Sequence, residues 1–266
     1  MSPRLRQILQ TWSIPVLLVV VWEIATQTEL LDPRFFSSLT DIVLTIIDLL
    51  QDGRLLGDLT DTLRRLVLAF AIAAVGGSVV GIASGLWRSA EMLVRPVADT
   101  IYPTPKIALL PLLIILVGLT ESAFVLTAFA TAFFQIIIST SAAVKNVDPL
   151  LLEAGQNFGA TGSRFFRRLL LPAIAPGLFN GLRLGMATCL ITLVVVEFVS
   201  AETGLGALIY RAGQQFAVDQ IYAGIVLTGL LGHLVNLAFR ALEPRLLPWQ
   251  EHDRDADTAG AITAAG

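Results

Sequence analysis

Long apolar runs separated by short polar breaks dominate the chain, and their length sets the reading more than any two-residue alternation does. A helix rising about 1.5 Å per residue needs roughly 20 mostly apolar residues to cross a hydrocarbon core about 30 Å thick. Residues 12–27, 66–87, 122–144, 178–200 and 221–240 approach or meet that length. A sixth stretch, 97–119, is interrupted by Pro103, Pro105, Lys106 and Pro111. Proline removes an amide donor, and a break of this kind is tolerated in a membrane where the freed carbonyls meet protein or a water-lined cavity. The expectation is therefore an all-α membrane protein with about six transmembrane helices. The broken stretch is expected to line a path, with Tyr102, Thr104, Pro105 and Lys106 as its candidate residues.

Finer patterning adds three elements. Ser38 and Asp41 have the spacing of a capping box with Asp at the acidic position, and Leu39, Ile42, Val43, Ile46 and Leu50 follow at helical period, with Gly53 as a stop. This predicts an amphipathic helix on the outer membrane surface, either a packing element or a docking surface. Ala69, Ala73, Gly77, Gly81 and Gly85 recur every fourth residue, as do Gly177, Gly181 and Gly185. Small residues at this spacing let membrane helices approach closely. In the connection 145–177, Asp148 is expected to cap a helix beginning at Pro149, Gly159 to end it with a left-handed residue, and Ser163 to cap a second helix ending before Pro172. Leu151, Ala154 and Phe158 share a face of the first helix, leaving apolar surface on a water-facing loop, which points to a partner.

Composition supports the membrane reading. The 266 residues are 55% hydrophobic and only 15% charged, with a mean hydropathy of +0.75, too few charges to cover a water-facing surface of this size. A net charge of −3 with scattered basic residues argues against nucleic acid as a partner. Lone Cys189 leaves neither disulfides nor cysteine metal sites. Arg4 and Arg6 precede the first apolar run with no small-residue cleavage site before Glu29, so that run is expected to be retained as a helix. Lys and Arg in short loops orient membrane proteins. Placing both termini in the cytoplasm puts Arg88, Arg95, Lys145, Arg164, Arg167, Arg168, Arg240 and Arg245 inside, and Arg64-Arg65 is the clear exception.

Charges within the spans need an account, because a Lys, Arg or Asp at a helix centre costs roughly 2.5 to 3.5 kcal/mol on insertion scales. Lys106 has two readings, a path-lining cation that attracts anions or a side chain snorkelling from the inner end. Arg183 reads as a headgroup anchor, and Glu23 and Glu197 as hydrogen-bonded groups near the interface. No catalytic set is evident: GxxxxGK[ST], HExxH and GxSxG are absent, and the two histidines, His233 and His252, fall in a span and in the tail.

The loop also carries a resemblance. Glu153-Ala154-Gly155, Gly159-Ala160, Leu171-Pro172, Pro176 and Gly181-Leu182-Arg183 resemble the EAA loop of permease subunits of binding-protein-dependent ATP-binding cassette importers, with Gly155 in place of the usual Ala. Pro105-Lys106-Ile107-Ala108, Pro111-Leu112, Gly118, Glu197, Gly204-Leu205-Gly206 and Pro248-Trp249 resemble the nitrate, sulfonate, taurine and bicarbonate branch. The resemblance implies a type I importer permease fold with a cytoplasmic coupling loop and a multi-pass place in the bacterial inner membrane.

It further implies docking of that loop in a groove of a separate ATPase subunit. Glu153, Ala154, Gly155, Phe158, Gly159, Ala160, Arg164 and Pro172 are the candidate docking residues. Glu153 has the plainer alternative of favouring the helix start, worth about 0.3 to 1 kcal/mol, and Arg164, Arg167 and Arg168 that of positive-inside anchors. The implied partners are two ATPase subunits carrying ATP and magnesium, a second permease copy, an extracytoplasmic binding protein and membrane lipid, with no cofactor in this chain. The implied cargo is a small anion or organic solute of the sulfonate, taurine, nitrate or bicarbonate class. The rival readings are a vitamin-precursor permease or a secondary transporter. The expected layout is an N-terminal span and surface helix over 1–59, a core permease domain over 60–249 containing the coupling loop 145–177, and a disordered cytoplasmic tail over 250–266.

Overall fold

The computed structural model describes residues 3–200 and 202–249, with the side chains of 3–12 excepted; the tail 250–266 lies outside them. The described residues form helices and no strand. In order these are α1 (Pro3–Gln27), α2 (Leu39–Gln51), α3 (Arg54–Leu86), α4 (Arg88–Ile101), α5 (Leu110–Val117), α6 (Glu121–Lys145), α7 (Pro149–Asn157), α8 (Gly162–Phe165), α9 (Leu171–Ser200), α10 (Leu205–Gln214) and α11 (Val218–Leu246). A 3₁₀ turn, Lys106–Leu109, leads into α5, and a π turn, Phe166–Leu170, joins α8 to α9.

Among the described residues α3, α6, α9 and α11 are long and apolar enough to cross a membrane, Ser13–Gln27 is a shorter apolar helix, and the stretch holding α4 and α5 is bent by 90° at a break. Each of the six expected segments contains helix, but four, or five with the bent pair taken as one span, are long and apolar enough to cross; the first is shorter than a span and the third is broken. Its first half, α4, begins at Arg88 rather than within 97–119. It is amphipathic, with Arg88, Glu91, Arg95 and Asp99 recurring at three- and four-residue steps, so an apolar-run criterion misses its start.

The chain divides into two compact units, one of Met1–Leu63 with Glu197–Leu230 and the other of Arg64–Val196 with Leu231–Gly266. In the first, α2 begins as the capping pattern predicts: the Ser38 hydroxyl accepts from the Asp41 N–H at 3.0 Å and donates to Asp41 Oδ2 at 2.5 Å. Glu23 of α1 adds a cap from a distance, its carboxylate accepting from the Leu39 N–H and the Thr40 hydroxyl, both at 2.6 Å. Trp22 completes the join by donating from Nε1 to the Ser37 carbonyl at 3.0 Å and meeting Phe36 edge-on at 5.7 Å. Ile42 and Leu49 are buried, whereas Val43, Leu44, Ile47 and Leu50 stay exposed, so only part of the apolar stripe is used within the chain.

In the second unit both small-residue stripes pack on one helix, α6. A Cβ on Gly81 would stand 2.7 Å from that of Thr140, and one on Gly85 would stand 2.5 Å from that of Val144. From α9, Gly177 and Gly181 approach the Cβ atoms of Ala143 and Ser139 at 2.5 and 2.6 Å in the same sense. Contacts this short forbid any side chain, so the glycines set the helix spacing through close backbone approach. Ala69 and Ala73, higher in the α3 stripe, are fully buried. The exceptional Arg64 and Arg65 both pair with Glu121 in the first turn of α6, and Arg65 lies over the Phe124 ring at 5.6 Å from its centre. At its other end α6 is tied to α4 by Lys145, which donates to Glu91 at 2.6 Å.

Candidate functional site

The hairpin of α7 and α8 is built from local rules. Asp148 accepts from the Leu150 N–H at 2.8 Å, with Pro149 at the first helical position. The helix ends in a Schellman motif: the Ala160 N–H donates to the Gly155 carbonyl at 2.9 Å, the Gly159 N–H donates to that of Gln156 at 2.9 Å, and Gly159 has φ +81°. A Cβ at Gly159 meets nothing within 4 Å, so its need for glycine is conformational and not steric. Gly155 is the reverse case. A Cβ there would meet a terminal methyl of the Leu169 side chain, which rotation can move aside, so the departure from Ala in the loop pattern relieves only a soft packing contact.

Two expectations for the second helix are corrected. Its N-cap is Thr161 and not Ser163, because the first helical N–H groups, of Arg164 and Phe165, already bond to the Thr161 carbonyl at 3.1 and 3.3 Å. Nor does the helix stop before Pro172: the run continues through the π turn into α9, which carries both Pro172 and Pro176. A π turn inserts an extra residue into the helical ladder, and here it ends at Leu170, two residues before the proline that lacks an N–H.

Beneath the hairpin, Val144, Val147, Leu170 and Ile174 form a buried cluster against which Leu152, Phe165 and Phe166 pack. Phe158, by contrast, is 92% exposed, and Leu150 and Leu151 are exposed beside it. Glu153, Arg164, Arg167 and Arg168 are exposed too, and Ala154, Ala160 and Pro172 are half-buried. Glu153 has no hydrogen-bond partner among the described residues. The structure thus gathers the docking candidates on one small hairpin that exposes Phe158 and its charged residues to solvent above a buried core.

The broken segment is arranged differently from its sequence reading. Tyr102, Thr104 and Pro105 are exposed at the bend between α4 and the 3₁₀ turn. The Tyr102 hydroxyl donates to Gln135 Oε1 at 2.9 Å, and Gln135 donates to the Ser139 hydroxyl at 3.1 Å. The Thr104 hydroxyl donates to the Thr100 carbonyl at 3.0 Å. Lys106 is only 7% exposed: its ammonium donates to the Tyr102 carbonyl and sits 5.2 Å from the centre of that ring. It caps a carbonyl freed by the break, a role that neither sequence reading contained.

A second polar constellation gathers Glu197, expected to be hydrogen-bonded, with partners that the sequence did not name. In the first unit, the amino end of α10 is held by side chains from elsewhere: the Gly204 N–H donates to Asp58 at 2.8 Å, the Leu205 N–H to the Thr62 hydroxyl at 2.9 Å and the Gly206 N–H to Glu197 at 3.3 Å. The Thr62 hydroxyl donates onward to Glu197 at 2.8 Å, and Arg211 pairs with the other Asp58 oxygen at 2.6 Å. Glu197 is fully buried, at 0% exposure, and Gly204, at φ +117°, lies so close to its carboxylate that no Cβ fits. Helix N-termini present unpaired N–H groups and a positive dipole end, so anionic and hydroxyl acceptors complete this one. Asp58 and Thr62 do stand four apart on a helix, but nothing in their spacing names α10 as their partner. The described residues include no group of His, Cys, Asp and Glu able to hold a metal ion.

Comparison with known proteins gives this geometry a family. The pattern described as "Binding-protein-dependent transport system inner membrane component" matches residues 62–248. The chain is 32% identical over 253 residues to the taurine transport system permease protein TauC of Escherichia coli (strain K12), covering 93% of this chain and 92% of that one. It is 31% identical to the putative aliphatic sulfonates transport permease protein SsuC of the same strain, covering 90% of each. A chain from the inward facing MetNI methionine ABC transporter superposes with a TM-score of 0.64 at 23% identity, over 72% of this chain and 95% of that one, so the two share a fold. Described residues that form helices and no strand, a broken span, a half-exposed hairpin at the EAA-like positions and a family pattern over most of its length make one conclusion: this chain belongs to the membrane-embedded permease components of binding-protein-dependent ABC importers.

Proposed function

We propose that α7 and α8 form the element through which a separate ATPase subunit drives this permease. The observation that carries the reading is Phe158, 92% exposed at the end of a helix whose termination is locked by Gly159. An exposed aromatic on a preformed hairpin is suited to fill a pocket as an interface anchor. Glu153 and Arg164 supply the polar rim, Ala154, Gly155 and Ala160 keep the hairpin narrow, and Pro172 continues it into α9, so movement of the tip is carried into a membrane helix. The working machine is two copies of this chain, two ATPases binding ATP with magnesium, and an extracytoplasmic binding protein. Both termini of the chain lie in the cytoplasm, and the chain itself performs no catalysis. The relatives are named for taurine and aliphatic sulfonates, which supports a small sulfonate as cargo. Tyr102, Thr104 and Pro105 border the path, with Lys106 bracing the bend.

The test is assembly of the chain with the ATPase and binding protein in liposomes. Phe158→Asp should abolish co-purification of the ATPase, with uptake of the bound sulfonate falling at least tenfold, while the permease itself still inserts and melts normally. Ion-coupled uptake by the permease alone, with no ATPase present, would overturn the reading.

A further inference from the structure

In the second unit, a cavity of about 330 Å³ lies between α9 and α11, lined by Arg183, Leu184 and Leu190 on one side and by Gly232, Asn236 and Phe239 on the other. Its walls are apolar apart from Arg183 and Asn236. The Arg183 Nε donates to Asn236 Oδ1 at 2.8 Å, which fixes one edge of the guanidinium, and its terminal nitrogens have no protein partner among the described residues. The sequence reading of a side chain that simply reaches headgroups is therefore incomplete, because the group is positioned by a neighbouring helix. Leu184 and Ile191, which line it from α9, are exposed. Gly232 keeps the groove wide: a Cβ there would touch only Leu190, at an ordinary 3.5 Å.

We propose that this groove holds one anionic phospholipid, its phosphate on the free edge of Arg183 and part of an acyl chain along Leu184, Leu190 and Gly232. A guanidinium presents a planar fork that matches two oxygens of a phosphate. The lining offers no carboxylate to repel it. Arg183 and Ile191 are eight residues apart, about 12 Å of helix, so an aliphatic tail running from the fork lies against the wall for that length. A rim of exposed leucine and isoleucine suits a molecule that arrives from the bilayer. The inference rests on the chain being embedded in a membrane and not on the docking role of the hairpin.

The test uses the full chain purified in mild detergent and exchanged into vesicles of phosphatidylcholine with or without phosphatidylglycerol, the bound lipid being read by native mass spectrometry. The wild type should retain one phosphatidylglycerol per chain. Arg183→Gln should lower that retention about fivefold, the factor expected for one basic residue at an anionic surface. Arg183→Lys, which keeps the charge and loses the fork, should fall between the two. Gly232→Leu should displace the lipid with Arg183 intact, and a normal melting curve for that variant excludes misfolding as the cause. Equal retention in all four proteins, or equal retention of phosphatidylcholine, would overturn the proposal. So would efficient disulfide formation between copies by Ile191→Cys in membranes, which would make a second copy the occupant. Displacement by millimolar alkanesulfonate would make the groove a cargo site and overturn it as well.

Discussion

The amino ends of α7 and α10 pose the same chemical problem, a set of N–H groups with no partner inside the helix, and the chain solves it in opposite ways. α7 is capped by Asp148 from two residues away, and its outer side is exposed, including the apolar ring of Phe158 at its end. α10 is capped by Asp58, 146 residues away from the N–H it accepts, by Thr62, and by the fully buried Glu197. A local cap forms whatever the rest of the protein does, so the α7 hairpin can keep its shape independently of distant helices. A remote cap exists only when distant helices are already in place, which makes the α10 clamp a report on the integrity of its whole unit. The difference teaches that an apolar residue left outside and a charged residue taken inside separate a surface the chain leaves open, the one proposed for docking, from a lock that holds distant helices together.

Substitution of single glycines tests that separation, beginning where the effect is largest. Gly204→Ala meets both a positive φ and the Glu197 carboxylate, and should cost about 3 kcal/mol through strain and displaced charged hydrogen bonds. The chain's thermal unfolding in detergent reads this, and a melting temperature within a degree of wild type would mean that the clamp is not closely packed. Gly159→Val should cost about 1.5 kcal/mol of strain confined to the hairpin. The complex should still assemble in part but lose substrate-stimulated ATP hydrolysis, whereas Gly159→Asn, which tolerates the left-handed region, should keep it. Full stimulation in the Val variant would show that the turn is no hinge. Gly155→Ala is the smallest change: a gain in helix propensity of up to about 1 kcal/mol opposes the shift forced on Leu169. Hydrogen exchange along α7 should therefore alter by less than threefold, in contrast to the unit-wide loss expected at Gly204.

Much of the hairpin was legible because its determinants are neighbours in sequence. Asp148 followed by Pro149, and Gly159 after one helix length, specify a start and a stop through backbone geometry alone. The misplaced N-cap at Ser163 and the helix that runs through Pro172 show the limit of such rules. A π turn can absorb a proline, and no residue in Phe166–Leu170 announces it. The break in the third membrane segment was expected, but its start was placed too late for a related reason, since α4 hides its helical character in a charged face that a search for apolar length passes over.

The sequence by itself determined the helical, membrane-embedded class of this protein, the two glycine stripes and the capped hairpin, because hydrophobic length, small-residue period and local caps act within a few turns of chain. Only the tertiary structure decided that both stripes meet on α6, that Lys106 turns back on the Tyr102 carbonyl, and that Asp58, Thr62 and Glu197 converge on α10. Those outcomes depend on which distant N–H, carbonyl or backbone surface arrives beside each residue. A buried polar group takes whatever partner the packing brings, and packing is a property of the assembled helices and not of any one segment.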